Sequence, residues 1–404
     1  MRRLAPLAAA RVAPTRPITA RAVTALLAAS LLLGGCRPCL QPGVDDCAAL
    51  RAMNPAALRA TAWLLDEEAF GRRDAPTPGA VRAAHVVAAQ LQALGLQPGG
   101  ESGTFLQEVP LTVDEPRKPA LVVIQGNVEV TLADERDFHL LEAHGDTQVK
   151  VDAEVVLADG VTAEQAGRMR GRVALVPVHR PAEADLAAAA VTRLRAQGAA
   201  GVLLCTRGPA GRDAYHKLRE RLQRPAVRLA QAPRTAGQGA ARLVFALAPP
   251  ACAQLLATAA MARRATAANP VLPLRVRGQA RLEPKPARGW NAVGVYRAAR
   301  DPAAAPVVVT ASLLGPGVDV AALLEIGRAL VQLRARPPRP VILAALAAAP
   351  GAPVGMAHFE RSGGGRGPGH LHVLPRGGPA DRAAVEAARL VEALLRGAAH
   401  APAP

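Results

Sequence analysis

The sequence predicts an α/β fold, an α/β/α sandwich around a mostly parallel sheet with a smaller α/β domain inserted into it. Short apolar runs, such as 307–311 and 341–346, alternate with helical patterns such as 320–333. A helix predicted over 182–197 leads through a Gly-Ala-Ala-Gly turn into an apolar run at 202–205, which is the helix–glycine–strand step of an α/β unit. Because strands and helices alternate, we expect largely parallel pairing.

The chain divides into a leader, a tether and a core that is interrupted by an insertion. Residues 1–35 have the features of an export signal, and 36–53 form a short tether. The core is predicted from 54–114 and 285–400. Between them, 115–272 consists of short β-branched runs broken by turns, and we interpret it as the inserted domain. With 404 residues, half of them hydrophobic, the chain is long enough for two buried cores.

Several elements have clear start and stop signals. Asn54 is a good capping residue, and Pro55 suits the first position of the helix that follows it. A second helix, 80–94, is predicted to end at Gly95. A third begins at Asp381 and runs to about 395. Strands are predicted at 105–111, at 291–296 and, within the insertion, at 121–124, 151–157, 173–178, 202–205 and 243–247.

The amino terminus has the pattern of a bacterial export signal with a lipid-attachment cysteine. Arginines precede an apolar stretch, 22–33, which is too short to span a bilayer as a mature helix. The stretch ends in Leu-Gly-Gly-Cys36, which resembles a lipobox. We therefore predict cleavage before Cys36 and its attachment to several acyl chains, since one chain holds a protein only marginally. An ordinary secretory signal, or an uncleaved anchor, is the alternative.

Arg37, rather than Asp, follows the predicted lipidation site, so we favour the outer over the inner membrane, facing the periplasm or the cell surface. The other cysteines are Cys39, Cys47, Cys205 and Cys252. An oxidising envelope permits disulfides among them, for example Cys39 with Cys47 and Cys205 with Cys252, but the sequence alone does not decide the pairing.

The formal net charge is +17, and a basic balance can indicate a nucleic-acid or anionic-membrane partner. Here the arginines are scattered and aromatic residues make up only 2% of the chain, so nothing forms a surface on which bases could stack. We predict no nucleic-acid partner. The expected partners are a membrane, through the lipid anchor, and a peptide or envelope protein.

Short motifs in four segments, in order along the chain, resemble the zinc-dependent aminopeptidases and carboxypeptidases of metallopeptidase family 28. They lie in 64–72, 76–79, 94–98 and 105–111. The segments 171–176 and 198–203 resemble the protease-associated domain that some members carry, and 291–295 resembles the strand that returns to the catalytic core. The resemblance covers most of 55–361 and the last helix, and it implies a truncated zinc-exopeptidase-like fold.

The resemblance also implies two zinc ions and a glutamate base, but the residues at the corresponding positions differ. Ser312 stands at the position of the first His ligand and Leu314 at that of its Asp. Gly315 takes the place of the bridging Asp, and Ala349 and Pro350 take the place of the Glu pair. None of these side chains is a ligand that zinc prefers.

Residues downstream offer few substitutes for these ligands. No Asp or Glu lies between Gly327 and Phe359, and His358 is the one imidazole there. His370 and His372 share one face of an extended segment and are the only candidates for a surviving ligand. Without a third partner, an exposed pair of histidines is the favoured interpretation.

Three further features resemble functional sites, but each has a more favoured interpretation. Asp66, Glu67 and Glu68 could be paired carboxylates, but neighbours on a helix do not face each other, so a solvated turn is favoured. Ser312 lacks the Gly-x-Ser-x-Gly surroundings of a nucleophile. The glycine-rich stretch 362–369 lacks the Lys and Ser/Thr of a phosphate-binding loop.

We therefore predict no catalytic, cofactor-binding or metal-binding residue and a single modified residue, Cys36. The favoured function is that of a metal-free, catalytically inactive lipoprotein with a binding or structural role in the cell envelope. The alternative is an active metal-dependent exopeptidase that holds zinc with non-standard ligands.

Overall fold

The computed structural model describes most of the chain beyond the predicted tether. The expectations for the signal, the tether, Cys36, Cys39 and Cys47 lie outside the described residues. Within the described part, no helix is both long enough and apolar enough to cross a membrane. The described residues are 53–66, 70–158, 169–232, 243–263, 271–297, 304–332, 337–363, 371–373 and 379–395.

Helices and strands alternate along the described chain. The helices are α1 Pro55–Asp66, α2 Pro78–Ala93, α3 Ala184–Ala196, α4 Gly211–Leu222, α5 Pro249–Arg263, α6 Gly317–Gln332, α7 Val354–Arg361 and α8 Ala380–Leu395. The strands are β1 Gln97–Pro98, β2 Leu106–Gln125, β3 Val128–Leu132, β4 Phe138–Ala143, β5 Gln148–Leu157, β6 Val173–Val178, β7 Gly201–Thr206, β8 Ala226–Leu229, β9 Leu243–Leu247, β10 Val271–Tyr296, β11 Val307–Ser312, β12 Val341–Leu346 and β13 Leu371–Val373.

The described strands form one sheet with two parallel patches. At one end, β11 pairs in parallel with both β12 and β13; at the other, β5, β6, β7 and β9 follow one another in parallel. Between the patches lies β10, which is antiparallel to β12, β5 and β2. The predicted α/β class is confirmed, with antiparallel pairs where the two patches join and at the edges.

The first patch is covered on both faces. Helices α1, α2, α6 and α8 share one apolar core with the inner faces of β10, β11 and β12. Helix α7 packs on the opposite face, where Phe359 contacts a cluster that includes Val308 and Leu346. Helix α6 is buried along almost its whole length because α1 and α8 lie over it. This arrangement is the predicted α/β/α layering.

The second patch has cores on both of its faces and is joined to the first by two long strands. Strand β2 runs continuously across the predicted boundary at 114/115, and β10 runs across 272–285. They pair with each other from Leu106↔Ala292 to Ile124↔Arg275. The insertion therefore shares a strand ribbon with the core instead of hanging from flexible linkers. That 115–272 folds alone stays a prediction.

The helix boundary signals act as the sequence indicates. The side-chain oxygen of Asn54 accepts a hydrogen bond from the Ala56 amide at 2.9 Å, which caps α1. Gly95 has a φ of +75°, the left-handed conformation that terminates α2. Helices α4, α5 and α7 and the full length of β2 and β10 are not among the elements that the sequence predicts.

A disulfide joins Cys205 in β7 to Cys252 in α5, with the two Cα atoms 5.1 Å apart. It is one of the pairings that the sequence left open. Both residues are fully buried in the core between α5 and the sheet.

Candidate functional site

A cavity of about 300 Å³ lies where β11 and β12 end. In α/β sheets, ligands bind in the crevice at the carboxyl ends of parallel strands. The resemblance places its metal ligands at this same edge. The lining includes Ser312, Leu314, Gly315, Asp319, Ala349 and Met356.

Ser312, the last residue of β11, uses its hydroxyl in a local turn. Its Oγ accepts a hydrogen bond from the Leu314 amide at 3.3 Å, and its carbonyl accepts one from the Gly315 amide at 3.2 Å. Among the described residues that line the cavity there is no histidine to act as a base for this hydroxyl. The arrangement favours a structural role for the Ser312 hydroxyl at the end of β11, in line with the missing nucleophile motif.

A tight turn occupies the position at which the resemblance places the Glu pair. The amides of Ala349 and Ala352 each donate to the other's carbonyl, at 3.0 and 2.9 Å. Pro350 and Gly351 lie between them, and Gly351 has a φ of +72°, as the third residue of a type II turn requires. The Pro-Gly dipeptide is the sequence signal for this turn, and residues 349–352 contribute no acidic group to the cavity wall.

Asp319 is the one carboxylate in the described lining of the cavity. It is only 4% exposed and lies in the first turn of α6, where the helix dipole stabilises a negative charge. A methyl group at Gly315 would lie 3.2 Å from its Oδ2. The short 315–319 loop thus brings this carboxylate close to the end of β11. No motif in the sequence indicates Asp319 as a site residue, although it is the only acid in that loop.

These residues do not fit zinc. A structural or catalytic zinc ion takes three or four nitrogen, sulfur or carboxylate ligands from the protein. The described lining offers one carboxylate, from Asp319, and the hydroxyls of Thr310 and Ser312. No group of three His, Cys, Asp or Glu side chains converges anywhere in the part of the chain that the structure describes.

The histidines considered as ligands are distributed as follows. His358 lies on α7 with its Nε2 atom buried and without a hydrogen-bond partner, and it is not part of the cavity lining. His372 lies in β13, where its backbone pairs with Val309 of β11. His370 lies outside the described residues.

A brace fixes the loop at the mouth of the cavity. Arg73 donates from Nη2 to Oδ1 of Asp66 at 2.5 Å and to the Gly315 carbonyl at 2.8 Å. The same Asp66 oxygen accepts from the Gly317 amide at 2.8 Å, at the start of α6. Burial lowers the pKa of Arg73, and the charge of Asp66 opposes that shift. Asp66, which is expected in a solvated turn, therefore also makes tertiary contacts with Arg73 and the Gly317 amide. Glu67 and Glu68 lie outside the described residues.

A buried amide network holds the far wall of the cavity. Asn291 of β10 donates from Nδ2 to Oε1 of Gln107 at 2.8 Å and to the Gly355 carbonyl at 3.1 Å. Its Oδ1 accepts from the Ala347 amide at 2.8 Å. The network joins β10 and β2 to Ala347, which lines the cavity, and to Gly355 at the start of α7.

Comparison with known proteins gives similarity in structure only. No family model matches the chain, and no curated protein matches it. Among solved structures, an aminopeptidase from Aneurinibacillus sp. strain AM-1 is 16% identical with a TM-score of 0.37, over 78% of this chain and 68% of that one. A peptidase M28 precursor from Shewanella amazonensis SB2B is 15% identical with a TM-score of 0.39, over 78% and 69%.

A zinc aminopeptidase from Bacillus subtilis is 14% identical with a TM-score of 0.34, over 73% of this chain and 62% of the other. These values describe a distant likeness and say nothing about activity. The chain is similar, at a distance, to solved aminopeptidase structures.

Proposed function

We propose that this chain is a lipid-anchored protein of the bacterial cell envelope that has a zinc-exopeptidase-like scaffold and binds a partner without cleaving it. One observation carries the proposal. The cavity at the ends of β11 and β12 is lined by the turn that the Ser312 hydroxyl stabilises and by the Pro-Gly turn after Ala349. At these positions the resemblance requires metal ligands and a base.

The chemistry of such a site depends on the ion. A bound zinc ion would supply a Lewis acid and a water of lowered pKa, and a carboxylate of the protein would be needed as the base. Asp319 alone would hold an ion weakly, because changes to groups that merely support the ligands already cost roughly 10- to 100-fold in affinity. We therefore propose that the scaffold acts through binding, with a peptide or an envelope protein as partner and no nucleic acid.

Export is supported by two features. The first is the lipobox-like sequence that ends in Cys36. The second is the buried disulfide between Cys205 and Cys252, since such bonds persist in oxidising compartments such as the periplasm. We propose anchoring in the outer membrane on the basis of Arg37.

The second candidate is an exopeptidase with a rebuilt metal site. It is favoured by one observation: β13 aligns the backbone of His372 beside β11, the strand that ends at the cavity. A site of this kind would combine Asp319 with His370 or His372.

Metal analysis of the purified protein decides between the two. We expect no stoichiometric zinc, no change of melting temperature on adding zinc, and no turnover of aminopeptidase substrates, because a ligand stabilises a protein only by binding its folded state. Asp319→Asn and His370→Ala/His372→Ala serve as matched variants and should behave like the parent chain. Chelator-sensitive release of an amino-terminal residue, lost in these variants, would establish the second candidate.

A further inference from the structure

The outer side of α1 is apolar where a surface helix should be polar. Trp63 is 67% exposed and Leu64 is 41% exposed, and Ala56 and Ala60 continue the same side toward the start of the helix. Surface helices carry charged and polar residues on the side away from the core, and a helix that is apolar all round is normally covered on all sides. We call Ala56, Ala60, Trp63 and Leu64 the outer face of α1.

Within the described fold, this face of α1 is exposed. Its opposite side, with Leu58, Ala62 and Leu65, packs on α6 and α8. The charged residues of α1 are Arg59 and Asp66, and Asp66 binds Arg73 and the Gly317 amide. The outer face therefore borders one basic group, Arg59, and one acid, Asp66, whose charge is paired with Arg73.

The position of α1 along the chain indicates what covers this face. Sixteen residues, 37–52, separate Cys36 from Met53, which is buried in the core just before α1. A chain of sixteen residues spans at most roughly 55 Å when fully extended. Trp63 lies roughly 14 Å along the helix from Asn54. A membrane that holds Cys36 is thus within reach of the whole outer face.

We propose that the outer face of α1 docks on the lipid bilayer to which Cys36 is attached. The proposal rests on the proposed anchoring. Tryptophan prefers the boundary between headgroups and acyl chains, where its ring is buried and its N–H stays hydrated. Arg59 lies beside this face and suits anionic headgroups, and the chain stays basic after the predicted cleavage removes the five arginines of residues 1–35, which attracts it to the same surface. Docking would hold α1, and the Asp66 brace at its end, in one orientation to the membrane.

The chain contains two tryptophans, which makes the test direct. In the full-length lipidated protein, Trp290→Phe leaves Trp63 as the only indole. Trp63→Phe leaves Trp290, which is half-buried in β10 with its ring 6.2 Å from that of His85. Each variant is reconstituted into vesicles of phosphatidylethanolamine and phosphatidylglycerol with or without brominated acyl chains, which quench nearby indoles.

We expect the emission of Trp63 to shift to shorter wavelength and to be quenched by brominated lipid, while Trp290 changes little. A matched control places an indole at an equally exposed position elsewhere. Leu186 on α3 is 68% exposed, and Leu186→Trp in the Trp63→Phe/Trp290→Phe background should stay unquenched. Arg59→Ala should weaken association of the unlipidated Cys36→Ala chain with anionic vesicles about fivefold.

The outcomes separate docking from anchoring. If the protein floats with vesicles but Trp63 is quenched no more than the indole at position 186, anchoring holds and docking is wrong. If Trp63 shifts only as the protein concentration rises, without lipid, the face binds a second copy and the proposal also fails. If the protein does not float, anchoring fails. In that case, quenching of Trp63 by brominated lipid at high lipid concentration shows whether the outer face of α1 itself binds lipid.

Discussion

Asn291 and Gly355 are in such close contact that position 355 has no room for a side chain. The Asn291 amide donates to the Gly355 carbonyl at 3.1 Å, and a methyl group on Gly355 would lie 2.4 Å from the Asn291 Oδ1 atom. It would also lie 2.4 Å from the Ala347 carbonyl oxygen. The contact joins β10 to the start of α7 beside the cavity.

Gly355→Ala should therefore destabilise the protein by roughly 1–3 kcal/mol, the usual cost of forcing a group into a packed core. Urea unfolding measures the change. Gly211→Ala, at the start of α4, is the control; its methyl group would lie 3.3 Å from the Pro249 ring and should cost less than Gly355→Ala. Equal stability of the two variants would show that the close contact with Asn291 does not destabilise Gly355→Ala.

Glu325 should make the stability of the protein depend on pH. It is 1% exposed, and burial raises its pKa, against the opposing charge of Arg328, which lies 2.6 Å away. The folded chain therefore holds this proton more tightly than the unfolded chain, and the stability that Glu325 contributes falls as pH rises from its ordinary value of 4.5 through the raised pKa.

Glu325→Gln removes this titration and keeps an acceptor for Arg328. The variant should melt at a higher temperature than the parent at pH 7, and the difference should disappear as the pH is lowered below about 4. The exposed Glu360→Gln on α7 is the control and should show no such trend. If the difference in melting temperature between Glu325→Gln and the parent stays constant from pH 4 to 7, the raised pKa of Glu325 is contradicted.

The Cys205–Cys252 disulfide closes a sequence separation of 47 residues. A loop of that length corresponds to roughly 4 kcal/mol of stabilisation by restriction of the unfolded chain. Reductant should lower the melting temperature of the parent protein and leave that of Cys205→Ala/Cys252→Ala unchanged. If reductant lowers both equally, the effect does not come from this bond.

Metabolic labelling with a fatty-acid analogue tests the predicted anchor. Cys36 should carry the label and the Cys36→Ala chain should not, because its thiol is the acylated group of a lipobox. Cys47→Ala is the matched control and should label like the parent. A parent protein that stays unlabelled in the soluble periplasm would exclude lipidation.

The shared ribbon makes a prediction about the inserted domain. β10 contributes Leu274, Val276, Ala280 and Leu282 to the core of the second patch. A segment of 106–297 should therefore melt cooperatively and at a higher temperature than 115–272, which lacks most of that strand. Calorimetry of both segments measures the difference, and equal melting temperatures would show that the insertion does not depend on β10.

The sequence predicted those helix ends, strands and helices that depend on residues close together in the chain. The cap at Asn54, the left-handed Gly95 and the alternation of apolar runs with helices all depend on neighbouring residues, and the structure places them as expected. The residue types at Ser312 and Ala349, which differ from the ligands that the resemblance implies, can also be read directly from the sequence.

Other features arise only when distant segments meet. Asp66 and Asp319 reach the same loop of the cavity, yet nothing near either residue indicates it. The continuous β2–β10 ribbon depends on pairing between strands more than 150 residues apart, so the domain boundary drawn from composition did not show it. The sequence by itself determined the class of fold and the residue types at the strand ends. The tertiary structure alone decided which side chains converge, because convergence depends on the register and packing of strands far apart in the chain.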